Sequence, residues 1–420
     1  MNRTSISSLV LGLAFAACSE HASPTAAERP APISVAEGTP AVPTDDDAEE
    51  LAPEKFADGA KAFAKVRDTL LQNYVAEGLT EDELYRAATA GMIERLDPKM
   101  KKWNRLLSPR EIAELKNDLK GEVIGIGVNL KFDPASGHAE VLAVLPTSPA
   151  EKAGIVAGDR VVTVNGKLYK GMRQKDVLSD IRGRAGDTVT LSVLRADKLL
   201  SVPVVRDRVA YDQTLHRLLP DAVGYVRIPS FNDKTPSAVR DALEDLKRTG
   251  AKALVVDLRQ CPGGSFDRAV ETAEVLLPKG AGIVSLQRKG KPEEKLVAKG
   301  TAVLADAPLA VLVDGVTASG CEFVAAALAE GRHARLVGAR TTGKWTVQSI
   351  EDLPNGYAAK YTVGIFKTPS GKSYQGVGLV PDVMVTMTDA EVARATATAS
   401  LEQRVAIDPA LRTAKQLVLR

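Results

Sequence analysis

The chain has 420 residues, 45% of them apolar, which is enough for two or three domains with buried cores. Its 55 Lys and Arg stand against 53 Asp and Glu, so the formal charge of +2 sets up no strong field for nucleic acid or an anionic membrane, and aromatics at 4% are too few for base-stacking platforms. Three cysteines and four scattered histidines (His21, His138, His216, His333) exclude a disulfide scaffold, a four-cysteine zinc site and an HExxH hydrolase; neither a metal nor an organic cofactor is implied.

Residues 1–18 read as an export signal. Arg3 precedes an apolar run from Ile6 to Ala17, shorter than the ~20 residues that span a membrane. The small residues before Cys18 resemble a bacterial lipobox, although Phe15 stands where leucine is usual. Lipidation of Cys18 is favoured over plain cleavage near Ala17. Either event places the mature chain outside the cytoplasm, in a periplasm or cell envelope. Residues 19–53 are rich in proline and alanine and carry the acidic run Asp45-Asp46-Asp47, so they form a disordered tether rather than a core.

Residues 54–120 form an N-terminal helical region. Phe56, Phe63, Val66, Leu70 and Tyr74 recur at helical spacing, and Thr80 with Glu83 and Ser108 with Glu111 are capping boxes. From 121 to 206 the period changes to short β-runs at 141–145, 160–164 and 188–194, with a capped helix between the first two. Gly125-Ile126-Gly127-Val128, the stretch Ser148 to Gly154, Gly158-Asp159 and the Asn165-Gly166 turn together resemble a PDZ domain. That resemblance implies a loop whose backbone amides receive a peptide's C-terminal carboxylate while the peptide adds as a strand. From 207 to 386 buried-type strands (253–258, 309–313) alternate with helices (239–247, 269–277, 322–329), an α/β layer. Residues 387–420 read as a helical tail.

Two segments carry chemistry. In the first, a strand ending at Val313 passes through small residues to Ser319-Gly320-Cys321-Glu322 and a helix. Ser319 at the helix start is either a cap or a nucleophile whose oxyanion the free amides would favour. In the second, Gly338 to Gly343 precedes Lys344 between β-type runs. Lys344 is either a surface charge or, if burial depresses its pKa, a base. Gly338 to Lys344 also fits GxxxxGK, but Trp345 follows where a nucleotide-binding loop needs Ser or Thr, and the next residues read as a strand.

Taken together, residues 56–386 resemble the carboxyl-terminal processing peptidases, also called tail-specific proteases. The carriers are Ala318-Ser319-Gly320-Cys321-Glu322, the set Gly338, Thr341, Gly343, Lys344 and Gln348, the stretch Asp257-Leu258-Arg259 to Pro262-Gly263-Gly264, and the 25-residue spacing from Ser319 to Lys344. The resemblance implies a multi-domain α/β protein: N-terminal helices, a PDZ β-domain and an α/β serine protease core. It implies that Ser319 attacks the peptide carbonyl, that Lys344 takes its proton, that Gln348 positions Lys344, and that amides of Gly263, Gly264 and Gly320 form an oxyanion hole. The expected partners are protein or peptide substrates with apolar C-termini, with no nucleic acid, and with a membrane met only through the N-terminal lipid. Some residues depart from the pattern: Cys321 stands where Ser is usual, Cys261 where Asn is frequent, Lys99-Met100-Lys101 replaces a His-Ser-type sequence, and Trp345 is expected to narrow the pocket. Two small buried thiols at Cys261 and Cys321 are favoured over a bridge, although export permits one. The rival reading is an inactive PDZ adaptor on a protease fold.

Overall fold

The computed structural model describes residues 56–96, 103–145, 147–210, 214–387 and 401–420. The export signal, Cys18, the tether and Lys99-Met100-Lys101 lie outside the described residues. The chain divides into two compact units, Met1–Gln72 and Asn73–Arg420. Most of helix α1 (Gly59–Asn73) belongs to the first, and Phe56 and Tyr74 fall outside the helix.

In the second unit α2 (Glu81–Glu94) and α3 (Pro109–Lys120) start at the capping boxes that Thr80 and Ser108 predict, with Glu83 and Glu111 reaching back to the cap amides at 3.0 and 2.9 Å. Between them lies a strand that periodicity does not reveal, β1 (Arg105–Leu107). A ribbon of β2 (Glu122–Gly125) and the later β9 (Asp207–Ala210) closes off the PDZ-like domain. That domain is a sheet in the order β3 (Val128–Asp133), β4 (His138–Val144), β5 (Arg160–Val164), β7 (Thr188–Arg195), β8 (Lys198–Val205), with β6 (Lys167–Leu168) beside β5. Helices α4 (Pro149–Lys152) and α5 (Gln174–Ile181) complete it. Asn165 and Gly166 are the two central residues of the β5–β6 turn, both at positive φ (50° and 78°), as a primed hairpin turn requires.

The protease-like core begins with β10 (Leu215–Leu219) and β11 (Val223–Arg227) and continues through α6 (Thr235–Arg248), β12 (Ala253–Asp257) and α7 (Phe266–Leu276). A hairpin of β13 (Gly282–Arg288) and β14 (Glu294–Val297) precedes β15 (Leu309–Val313), α8 (Gly320–Arg332) and β16 (Arg335–Gly338). Then come β17 (Thr346–Asp352), β18 (Ala358–Lys367), β19 (Val383–Met384), α9 (Leu401–Ile407) and α10 (Pro409–Val418). Strands β10-β11-β12-β15-β16-β19 form one sheet, parallel except for β10. β12 and β15 are buried along their whole length, which explains the apolar runs Ala253–Val256 and Leu309–Val313; β12 ends in the buried Asp257, paired with Arg259 at 2.7 Å. Side chains alternate across the sheet: Leu254 and Val256 pack with Leu243 of α6, Ala273 of α7 and Val324 of α8, whereas Ala253 and Val255 pack with Leu411 and Ala414 of α10. The tail is thus the cover of the sheet's second face. Asp408 caps α10 and pairs with Arg259 at 2.8 Å, pinning the tail to the end of β12.

A second sheet runs β1-β18-β13-β14, with β17 also paired to β18. Through β1, residues 105–107 from ahead of the PDZ-like domain join this sheet. Among the described residues no helix is long and apolar enough to cross a membrane.

Candidate active site

β12 and β15 lie side by side and parallel, so the segments that leave their carboxyl ends are neighbours, where open α/β sheets form clefts. β15 leads through Asp314, whose carboxylate accepts the amides of Val316 and Thr317 at 3.0 and 2.9 Å, to Ser319. Ser319 has φ 57° and ψ −118°, a conformation that costs a non-glycine residue about 1–3 kcal/mol and is held by its surroundings. Its hydroxyl caps no amide of α8. The cap bond runs the other way: the Ser319 amide donates to Glu322 Oε2 at 3.0 Å. Ser319 and Glu322 thus stand in capping-box register, with the bond made by the Glu322 carboxylate and none by the Ser319 hydroxyl.

Glu322 is fully buried and gathers the site. Besides Ser319 N, its Oε2 accepts the Lys344 amide at 2.8 Å; its Oε1 accepts the Gly343 amide at 2.8 Å and the Thr341 hydroxyl at 2.5 Å. One carboxylate thus joins the backbone of Ser319 to the backbone of Lys344. Gly343 makes this possible at φ 78°, because a Cβ there would lie 2.7 Å from the Gly378 nitrogen.

Lys344 is only 9% exposed, and its ammonium sits 4.7 Å above the centroid of the Trp103 ring. No hydrogen bond joins it to the Ser319 hydroxyl. Burial, and then repulsion from Lys360 on β18, push the Lys344 amine down to about 8, with Glu322 opposing. Lys360 is itself lowered by burial and by Arg105 on the adjoining β1. Trp103 is brought here by β1. The neighbouring Asn104 is buried and accepts the amide and the hydroxyl of Thr362 on β18 at 2.9 and 3.0 Å. Gln348 lies beside Lys344 in sequence, but its side-chain amide donates to Thr346 and Thr362 at 2.9 and 3.4 Å rather than reaching the amine.

β12 leads into Cys261-Pro262-Gly263-Gly264. Gly263 has φ 109°, and a Cβ there would approach Ser319 Cβ to 2.9 Å, so the loop and the serine touch only because this residue is glycine. The carbonyl of Gly263 and the amide of Ser265 are bonded to Phe231. Among the described residues the amides of Gly263, Gly264 and Gly320 donate to no acceptor. Two of these unbonded amides belong to residues that flank the contact, Gly263 against Ser319 and Gly320 next to it in the chain, and the third to the following Gly264.

Two expectations are corrected here. Cys261 and Cys321 are joined by a disulfide, with Cα atoms 6.2 Å apart, rather than standing as separate thiols. The strand end at β12 and the first turn of α8 face each other closely enough for the bond. Trp345 does not narrow the pocket. It is fully buried in the core against Phe366 and Tyr374, whereas the Lys344 amine meets Trp103. The strand β17 after Lys344 also removes the nucleotide-loop reading, which needs a helix there.

In the PDZ-like domain Gly125, Ile126, Gly127 and Val128 line one cavity of about 250 Å³ together with Leu178 and Ile181 of α5. The loop and the helix thus form an apolar groove beside the β3 edge. Sequence reasoning named Glu322 only as a motif marker and missed Trp103, Asn104 and Lys360. For those three the available signal was weak: a three-residue strand and isolated polar side chains.

Residues 222–385 match the profile of Peptidase family S41, and residues 140–195 match that of a PDZ domain. The chain is 33% identical over 334 residues to a carboxyl-terminal-processing protease of Picosynechococcus, covering 78% of this chain and 79% of that one. It is 29% identical over 336 residues to the carboxy-terminal processing protease CtpA of Bacillus subtilis, covering 80% and 70%. Among solved structures, a putative S41 protease from Bacteroides fragilis shares the fold, with a TM-score of 0.57 at 17% identity over 84% of this chain and 97% of that one.

Proposed function

The chain belongs to the carboxyl-terminal-processing proteases of peptidase family S41, and from that premise we propose that it is an exported serine endopeptidase with a Ser319–Lys344 dyad. The observation that carries this reading is the buried Glu322, which ties the backbones of the two residues together. Neutral Lys344 takes the Ser319 proton as the hydroxyl attacks a peptide carbonyl, and later returns a proton to the leaving amine. The developing oxyanion is received by amides of Gly263, Gly264 and Gly320. Gln348 joins Thr346 on β17 to Thr362 on β18, next in the chain to the segment that carries Lys344. The PDZ groove takes the substrate's C-terminus, with Leu178 and Ile181 favouring an apolar last residue. Lipidation at Cys18 would anchor the enzyme to the cell envelope.

The amine rests on Trp103, so the reaction requires it to turn to Ser319. An inactive adaptor would show the same resting contact, and cleavage decides between the two. Incubated with long peptides ending in a free apolar residue, the wild-type chain should cleave, whereas Ser319→Ala should lose at least ~10³-fold in kcat/KM. Amidating the peptide's C-terminus should lower kcat/KM for the wild type. Equal behaviour of wild type and Ser319→Ala would leave the adaptor.

Trp103 supplies a second check. A ring face favours the charged form of the amine by about 0.5–2 kcal/mol. Removing it in Trp103→Leu should lower the Lys344 pKa and move the acid limb of the kcat/KM profile to lower pH by roughly 0.4–1.5 units. An unmoved limb would show that the stacked position plays no part in turnover.

A further inference from the structure

The cleft's amides come from two segments remote in the chain, Gly263 and Gly264 after β12 and Gly320 at the start of α8. The disulfide joins residues 60 apart and crosses between these segments: Cys261 is two residues before Gly263, and Cys321 immediately follows Gly320. Both cysteines are fully buried. Hydrogen bonds already pin the loop at its two ends. Ala318 N donates to Cys261 O at 2.9 Å, Thr317 Oγ1 donates to Leu258 O at 2.8 Å, and Phe231 binds the Gly263 carbonyl and the Ser265 amide. Between those pins lie two glycines at φ 109° and 142°, the residue type least able to hold its own conformation. The bonds of Ala318 and Thr317, and those that Gln260 donates from its amide and side chain to Asp314, end on the segment before α8; among the described residues it is the disulfide that ties this loop to the helix's first turn.

We propose that the Cys261–Cys321 disulfide is a positioning device for the oxyanion site, so that full activity belongs to the oxidised chain. This rests on the dyad reading above. Reduction by a dithiol breaks the S–S bond and leaves two thiols. The dithiol supplies two electrons and two protons and closes to its own disulfide. The spacing between the glycine loop and Ser319-Gly320 then relaxes, while Ser319 and Lys344 stay joined through Glu322.

The test uses the full chain as wild type, Cys261→Ala, Cys321→Ala and the double variant. Peptide mapping of unreduced, alkylated wild type should recover the cross-linked peptides; finding both residues alkylated would overturn the proposal. Each single variant and the double should lose kcat by the same factor, about 10- to 100-fold, since each removes the same bond. KM should change less than about twofold, because ground-state binding is untouched. Affinity for a peptide aldehyde, whose adduct with Ser319 places its oxygen on these amides, should fall by the same factor as kcat/KM. Amide exchange across 259–265 should be at least about tenfold faster in the variants. A lower melting temperature with unchanged kcat, aldehyde affinity and exchange would make the bridge a staple only and overturn the proposal. Wild type without Ser319-dependent cleavage would instead overturn the dyad reading; exchange over 259–265 would then still decide whether the bridge fixes the loop, unchanged rates counting against it.

Discussion

Lys344→Ala should lower kcat/KM by about 10³- to 10⁵-fold, with KM little changed, because the variant removes the proton acceptor and not a substrate contact. The wild-type pH dependence should identify the same group. Burial first, and Lys360 second, hold the amine near 8, so it is roughly one-tenth neutral at pH 7. The proposed dyad works through the neutral form, so kcat/KM should climb about tenfold between pH 7 and pH 9.5 and then level. Lys344→Arg should not restore activity, since a guanidinium stays protonated throughout this range. A profile flat from pH 6 to 9.5 would remove Lys344 as the base.

Glu322→Gln should be nearly as damaging, although the residue touches no substrate. Its two oxygens each accept two donors: Ser319 N and Lys344 N on one, Gly343 N and the Thr341 hydroxyl on the other. A glutamine has one accepting oxygen, so whichever way its amide turns, its NH₂ faces two donors inside a buried site. Stability should fall by about 3 kcal/mol and kcat/KM by about 10²- to 10³-fold, measured by urea unfolding and by peptide cleavage at a temperature where the variant is folded. Glu322→Asp, which keeps the charge on a shorter stem, should recover part of the stability and less of the rate. Full activity in Glu322→Gln would show that the dyad is held by other means.

Several of these features were legible in the sequence. β12 and β15 announce themselves because strands buried on both faces carry runs of apolar residues, broken here only by Asp257 at the end of β12, and the N-cap signals of Thr80 and Ser108 are local chemistry that needs no tertiary context. The Asn165-Gly166 turn is legible for the same reason. Ser319 and Lys344 became legible only as a pair, since each alone is more often a cap or a surface charge. What stayed hidden depends on distant partners. β1 is too short to show a period, and its pairing with β18 is set by the fold rather than by its own three residues. Trp103 and Asn104 inherit that obscurity. Trp345 lies in the core because Phe366 and Tyr374, both distant in sequence, supply its partners, and a large residue where a small one is common does not reveal them. For the two cysteines the bridge stood only as the lesser reading, because proximity across β12 and α8 is a property of the packed sheet.

The short pairing of β1 with β18 also bears on where this enzyme's smallest working piece begins. The stretch that matches the peptidase profile starts at residue 222, well after Trp103 and Arg105. A fragment trimmed to that limit would expose the backbone of β18 along the margin where β1 now lies, an invitation to self-association, and would strip the aromatic lid from the amine. The catalytic body is therefore discontinuous in sequence, stitched from a segment ahead of the PDZ domain and a segment behind it.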